Sequence, residues 1–408
     1  MESKKRIALI TTWFPPHNSV ATNRMLSFVE FLSPYFEIDV YALNSNEEKI
    51  SWNKNVTVYY SKSNQLIEFF KNNPKDSRNK HKVKTGINII LRKFIKNPLN
   101  SWKKSITQKL EFNHTVSAYD LIISSFSPQE AHLVAIDFCK KFHEVPWIAD
   151  MRDEMSKNPN FSLQQRKFLS EIEYEINKFA SCITTVSEPI LEDFKLLCPN
   201  VLYFEEIRNG FNHDLKNLNK INEDTGTFKI GYFGTFYGDI KPHFFFEALS
   251  ELLLNKELVN FEINLFGVYN NFTIPQNIIK FVNIKDKLPY TSAIEKMGEM
   301  NLNLLINPKT SRKGVFTGKL FDYISVQKPI LALVDKVDVA AKLILEFECG
   351  YVAEYNNVEE IKSCISKAID DWKLGTIKKA TDEQKDSLHR KFQVEKMKLL
   401  IDKLTARK

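Results

Sequence analysis

The residues whose types and spacing best suit chemistry lie between Gly314 and Val334, in the run GVFTGKLFDYISVQKPILALV. Gly314 and Gly318 lack side chains, so the backbone there can approach a ligand closely. A helix starting near Thr317 aims its unpaired N–H groups and positive dipole end at whatever fills the loop, which is the environment an anion needs. Lys319 adds a point charge, and Asp322, three residues on, presents on the same side a carboxylate able to accept ribose hydroxyl hydrogen bonds. Pro329 closes the helix. A lone Gly-x-x-x-Gly-Lys run is permissive, and its competing reading is a crossover loop that merely turns.

Three further clusters have comparable placement. Asp150-Met-Arg-Asp153 directly follows an apolar run starting at Trp147, putting two carboxylates and a guanidinium at the carboxyl end of a strand; a structural ion pair is the alternative. Trp13 to Arg24 holds stiffening prolines, and Thr22 or Asn23 can cap the next helix, with Asn18, Ser19 and Arg24 as candidate phosphate or acceptor contacts. Gly231 to Lys241 carries three glycines before a proline-started helix, a second phosphate-capable loop. Thr185-Val-Ser-Glu188 reads as a helix start capped by Ser187.

The elements that must position these residues alternate between short β-rich runs and helical patterns. Strands are expected at 7–11, 38–42, 56–60, 121–124, 147–150, 182–186 and 201–204, and again at 229–234, 261–266, 279–282, 302–306, 330–334 and 351–353. Helices are expected at 242–254, 293–300, 316–326, 339–347 and 358–372, and a single long one at 382–404. Alternation of this kind specifies an α/β fold with parallel sheets. At 408 residues the chain exceeds the roughly 250 to 300 at which one core stops growing, so two domains are expected: 1–205, a linker at 206–227 marked by Asn209-Gly210 and an Asn-rich stretch, and 228–380, followed by a terminal helix in 381–408.

Five cysteines without a Cys-x-x-Cys pair fit reduced thiols rather than a disulfide framework or zinc site. No apolar stretch is long enough for a signal peptide or a membrane span, so the expected location is the cytoplasm. The net charge of +7 is concentrated: twelve Lys or Arg and one acid, Asp76, lie between Lys71 and Lys109. There Ile90, Leu91, Phe94, Ile95 and Trp102 interleave at helical spacing with Arg92, Lys93, Lys96, Lys103 and Lys104, the pattern of a helix lying on an anionic membrane face. A solvated charged face is the alternative, and no nucleic-acid recognition module accompanies the charge.

The same motifs, taken together, resemble the retaining nucleotide-sugar glycosyltransferases of GT-B fold, family 4 in particular. Trp13-Phe-Pro-Pro16, Asp150-Met-Arg-Asp153, Thr185-Val-Ser-Glu188, Asn209-Gly210, Gly231-Tyr-Phe-Gly234 and the Gly318-Lys319 segment occur in that family's order over nearly the whole chain. The resemblance implies two Rossmann-like domains facing each other across a cleft, with a C-terminal helix crossing back to the first. It places Gly234, Thr235, Lys241, Leu288, Tyr290, Thr317, Gly318, Lys319 and Asp322 on the donor, and gives Arg152 and Asp153 the positions of the family's His-Asp pair. It departs from the family at Ser19-Val-Ala21, where glycines are usual; at Thr235, where an Arg is usual; and at Gly314, which stands where relatives have the first Glu of a Glu, seven residues, Glu pattern. The implied activity is transfer of a sugar from a nucleotide-diphosphate donor to a lipid-linked glycan in surface polysaccharide or lipopolysaccharide assembly, on the inner membrane face and without a metal cofactor. A sugar-nucleotide epimerase of the same fold and a non-catalytic nucleotide-sugar binder or scaffold are the alternatives.

Overall fold

The computed structural model describes residues 4–44, 46, 48–63, 97–213, 226–255, 260–269 and 272–406. The chain divides into two compact units, Met1–Ile207 with Val394–Lys408, and Arg208–Gln393.

The first unit is built on strands β1 (Arg6–Ile10), β2 (Glu37–Leu43), β3 (Lys49–Asn53), β4 (Val56–Ser61), β5 (Leu121–Phe126), β6 (Trp147–Met151), β7 (Cys182–Thr185) and β8 (Tyr203–Glu206). They form one sheet in the order β3-β4-β2-β1-β5-β6-β7-β8, parallel except for the β3 edge. Its helices are α1 (Val20–Leu32), α2 (Asn100–Val116), α3 (Glu130–Cys139), α4 (Leu163–Phe179) and α5 (Glu188–Leu197). Every residue of β5 and β6 is buried, as a parallel strand covered on both faces requires. The edge strand β3 is exposed throughout and only five residues long, with Ile50 and Trp52 its two apolar positions, too short a pattern to stand out in the sequence.

The second unit has β9 (Phe228–Phe233), β10 (Phe261–Phe266), β11 (Val282–Lys285), β12 (Leu302–Asn307), β13 (Ile330–Val334) and β14 (Gly350–Glu354), in the all-parallel order β11-β10-β9-β12-β13-β14. Around it lie α6 (His243–Leu254), α7 (Tyr290–Gly298), α8 (Gly318–Ser325), α9 (Val339–Glu346), α10 (Val358–Lys373) and α11 (Asp382–Ser387). The strand expected at 279–282 begins three residues later, because Ile279–Phe281 is a 3-10 turn. In each unit two apolar clusters, one on each side of the sheet, make the core.

The expected single C-terminal helix is two. After α11 the chain turns at Leu388 and His389, and α12 (Arg390–Leu404) begins anew. The backbone there bonds outside the helix: His389 bridges Phe211, and the Arg390 N–H donates to the Phe211 carbonyl at 2.9 Å. Gly210 permits this approach, since a Cβ there would sit 2.0 Å from the Leu388 carbonyl oxygen. Val394, Met397 and Ile401 of α12 then bury their side chains in the core of the first unit.

Two expectations for the first unit change. Arg24 is not a ligand contact: it is buried, its Nε and Nη2 donate to the two Asp150 carboxylate oxygens at 3.1 and 2.7 Å, and its Nη1 donates to the Ile207 carbonyl. Thr184 and Ser125 hydroxyls complete the carboxylate at 2.8 Å each. Trp102 is not a membrane residue either; it is fully buried and its indole N–H donates to the Ala42 carbonyl at 3.0 Å. Lys103, on the next position of α2, pairs with Asp137 at 2.7 Å, and Lys104 is exposed. Arg92, Lys93 and Lys96 lie outside the described residues.

Burial alone would push the Asp150 carboxyl up, but the Arg24 charge and the three side-chain donors outweigh it and hold it below its ordinary value. The stability it contributes is therefore present above about pH 4 and lost as pH falls below that. Asp150→Ala leaves the Arg24 guanidinium buried and unpaired, and it is expected to cost about 3–5 kcal/mol in denaturant unfolding. Glu192→Ala, which removes the exposed Lys195 partner, is expected to cost less than about 1 kcal/mol. Equal costs would show that the buried pair has no special weight.

Candidate functional site

Open α/β sheets bind ligands outside the carboxyl ends of their strands, where the strand order reverses. In the second unit that point lies between β9 and β12, the two strands whose following segments carry Gly234 and Lys319. Leu320, Phe321, Tyr323 and Ile324 turn the apolar face of α8 into the core, which leaves Lys319 and Asp322 on the remaining face. The buried Tyr323 hydroxyl accepts from the Phe233 N–H at 3.3 Å and ties α8 to the end of β9. Thr317 stands at the N-cap position, yet its hydroxyl caps nothing and is buried without a hydrogen-bond partner among the described residues.

Lys319 is the principal cation of this site. Its ammonium lies 4.3 Å from the centroid of the Tyr232 ring and donates to the Tyr232 hydroxyl at 3.0 Å. It pairs with no carboxylate among the described residues. Burial pulls its pKa down to about 8. Tyr232 is held in turn: its ring stacks on Phe236 at 4.2 Å, and its hydroxyl donates to the Thr235 carbonyl at 3.3 Å. Gly234, at φ +122, adopts a backbone conformation that suits glycine, and a Cβ there would lie 2.9 Å from the Lys319 Nζ. A half-buried ammonium beside a bare glycine and a helix N-terminus is an arrangement chemically suited to an anion.

Asp322 anchors the other end of α8. The Tyr290 hydroxyl, at the first position of α7, donates to its Oδ1 at 2.7 Å. Burial pushes the Asp322 carboxyl up to about 6, against the pull of the Tyr290 bond and the Arg390 charge. His213 closes the group, with Nδ1 3.1 Å from the Tyr290 hydroxyl and Nε2 2.8 Å from the Ser325 hydroxyl. Burial, with His389 and Arg390 nearby, pulls His213 down to about 4. Leu288 packs against the apolar cluster that underlies this group.

Other sequence candidates stand apart from Lys319. The Thr235 hydroxyl is engaged by the Gly267 carbonyl at 3.2 Å. Lys241 is exposed and touches none of these side chains; only its carbonyl is engaged, by the Tyr355 hydroxyl. Gly314 is buried at φ +77 and its N–H donates to Asp338 Oδ1 at 3.0 Å, a conformation in which a side chain would be strained.

In the first unit the order reverses between β1 and β5, and three loops meet there. The Trp13 indole and the Arg152 guanidinium both donate to the Ser127 carbonyl, at 2.6 and 2.7 Å, and Arg152 Nε donates to the Ser125 hydroxyl at 3.2 Å. Asp153 is half-buried beside it. Ser19, not Thr22 or Asn23, caps α1, accepting from the Thr22 N–H at 3.1 Å, while Asn18 is exposed. Ser187 occupies the N-cap of α5 without a side-chain bond.

No family model and no curated protein matches this sequence. Solved structures do match. Sucrose-phosphate synthase from Thermosynechococcus elongatus aligns with a TM-score of 0.67 at 14% identity, over 99% of this chain and 100% of that one. Anabaena HepE, solved with UDP and glucose, aligns at 0.59 and 14% identity, over 98% and 100%. The lipopolysaccharide outer core galactosyltransferase WaaB aligns at 0.57 and 14% identity, over 97% and 99%. The fold is GT-B. Within this GT-B fold the Lys319 ammonium lies beside Gly234 and Tyr232, and Tyr290 and Asp322 are joined by a hydrogen bond.

Nothing in the local sequence marks Tyr232, His213 or Ser325 as site residues. Tyr232 lies two positions before Gly234, but its partner is 87 residues away. No local pattern connects them. The desolvated Lys319 has a direct signature: in protein carrying 13C-labelled lysine, the resonance absent from Lys319→Arg is expected to titrate with a midpoint near pH 8, whereas solvated lysines titrate near about 10.4. A midpoint above about 9.5 would show the ammonium to be solvated.

Proposed function

We propose that this chain is a glycosyltransferase that takes a sugar from a nucleotide-diphosphate donor with retention, along the lines of family 4, and passes it to a lipid-linked glycan. The observation that carries the reading is Lys319, a half-buried ammonium without a carboxylate partner among the described residues, set at the start of α8 beside Gly234. Breaking the bond between the anomeric carbon and the phosphate oxygen leaves a diphosphate with growing negative charge. Lys319 and the amides at the start of α8 are placed to meet that charge. The new bond forms from the acceptor oxygen to the anomeric carbon on the face the leaving group departs, and the acceptor's proton passes to the leaving phosphate oxygen. Neither a protein nucleophile nor a metal is required by this scheme. Asp322 takes the ribose hydroxyls, and Arg152 and Asp153 serve the transferred sugar.

A second reading is favoured by Gly314. Its positive φ suits glycine where the resembled family has a glutamate facing the sugar. A chain so altered accepts a different donor sugar, or binds nucleotide sugar without transferring it. The two are separated by calorimetric titration and product analysis with a panel of nucleotide sugars. Lys319→Ala is expected to weaken donor binding by about 1.5–3 kcal/mol with the fold unchanged, and transfer is expected to persist in EDTA. Binding without transfer or hydrolysis supports the second reading. Unaltered affinity in Lys319→Ala sinks both.

The acceptor reading rests on the basic stretch from Lys71 to Lys109 and on the resemblance, and it puts the enzyme on the inner face of a membrane as a peripheral protein. Among the described residues no helix is long and apolar enough to cross a membrane. Neutralising Arg92, Lys93, Lys96 and Lys104 together is expected to release the protein from anionic vesicles at low salt and leave donor binding in solution unchanged. Equal sedimentation of wild type and variant would remove the membrane from this reading.

A further inference from the structure

Ser325, His213, Tyr290 and Asp322 form a closed ring of hydrogen-bonding contacts. The Ser325 hydroxyl lies 2.6 Å from the Asp322 carbonyl and 2.8 Å from His213 Nε2; His213 Nδ1 lies 3.1 Å from the Tyr290 hydroxyl; and that hydroxyl lies 2.7 Å from Asp322 Oδ1. Each of the four contacts needs one proton between its two atoms. A neutral imidazole carries one N–H, and Ser325 and Tyr290 carry one O–H each, so with Asp322 ionised the ring holds three. A fourth proton completes it. That proton sits on the Asp322 carboxyl, donating to the Tyr290 oxygen while Tyr290 donates to His213, or on His213, donating to Tyr290 while Tyr290 donates to Asp322.

We propose that His213 and Tyr290 are positioning residues for Asp322, and that their ring takes up one proton in the free protein and releases it when a nucleotide-diphosphate sugar binds. The inference rests on the reading of Asp322 as the carboxylate that accepts the ribose hydroxyls. Two neighbouring hydroxyls need two acceptors, and an ionised carboxylate accepts both more strongly than a carboxylic acid does. Bound ligand therefore favours the three-proton ring. The charged and titratable groups facing the ring are Arg390 of α12, which bears on Asp322, Tyr290 and His213; His389 before it, which bears on His213; and Tyr323 of α8, which bears on Asp322. Burial raises the Asp322 carboxyl to about 6 while it lowers His213 to about 4, so the fourth proton resides on Asp322.

The sign follows from linkage. A proton that must leave for the ligand to bind makes affinity fall as pH drops below the midpoint of the free ring. The test is calorimetric titration of the full chain with UDP-glucose and GDP-mannose, whose diphosphate diesters do not titrate in this range, between pH 5.5 and 7.5 in pairs of buffers differing in ionisation enthalpy. Wild type is expected to bind about fourfold more weakly at pH 5.5 than at pH 7.5 and to release about 0.8 proton per ligand at the lower pH. Tyr290→Phe removes the donor to the carboxylate and is expected to move the midpoint up by about half a pH unit or more. His213→Phe, which keeps a ring beside Phe211, frees Tyr290 to donate to Asp322 alone and is expected to move it down. Residues that only pack would weaken binding at every pH and leave the midpoint in place. Binding without proton release, or an unmoved midpoint in both variants, overturns the ring and leaves the donor reading standing. Binding of neither sugar nucleotide at any pH overturns the ring together with that reading.

Discussion

A parallel sheet brings the carboxyl ends of all its strands to one edge, and the function of this chain depends on that constraint. Each strand must be followed by a loop that returns through a helix, so helix N-termini collect at the same edge as the loops. In the second unit the strand order reverses between β9 and β12, and the segments that follow those strands carry Gly234 and Lys319 to within contact. In the first unit the reversal lies between β1 and β5, and loops after β1, β5 and β6 meet on the Ser127 carbonyl.

Charge at the two edges is handled in opposite ways. Arg24 and Asp150 lie in the interior with every carboxylate oxygen engaged, an arrangement that leaves nothing for a ligand. Lys319 is also withdrawn from water, but its partners are an aromatic face and a phenol rather than an anion. A buried cation without a counter-charge is unfavourable unless something else supplies it. Arg24 meets a full counter-charge and Lys319 meets none among the described residues, a difference that residue type alone does not reveal.

The departures from the resembled family also have physical content. Gly314 occupies a left-handed backbone conformation with its N–H held by the Asp338 carboxylate, so the loop preceding α8 presents backbone at the position where the resembled family has an acidic side chain. Thr235 bonds to the backbone of the segment after β10. Lys319 is the basic side chain of α8, and its acidic one, Asp322, accepts from the Tyr290 hydroxyl that also meets His213.

The two α/β units, their parallel strands and the helix bearing Lys319 and Asp322 were legible because hydrophobic periodicity and glycine or proline punctuation are local properties of the chain. The break at Leu388 and His389 was not, since it depends on a carbonyl of Phe211 and on the missing side chain of Gly210, both far away in sequence. Arg24 and Trp102 show the same limit: each lies in a stretch whose composition suits a ligand or a membrane, and each is turned inward by partners 126 and 60 residues distant. The sequence by itself determined which strands and helices form and which loops lie at their carboxyl ends. Only the tertiary structure decided which of the charged residues there meet a counter-charge, because burial and hydrogen-bond partners are set by segments that meet in space rather than along the chain.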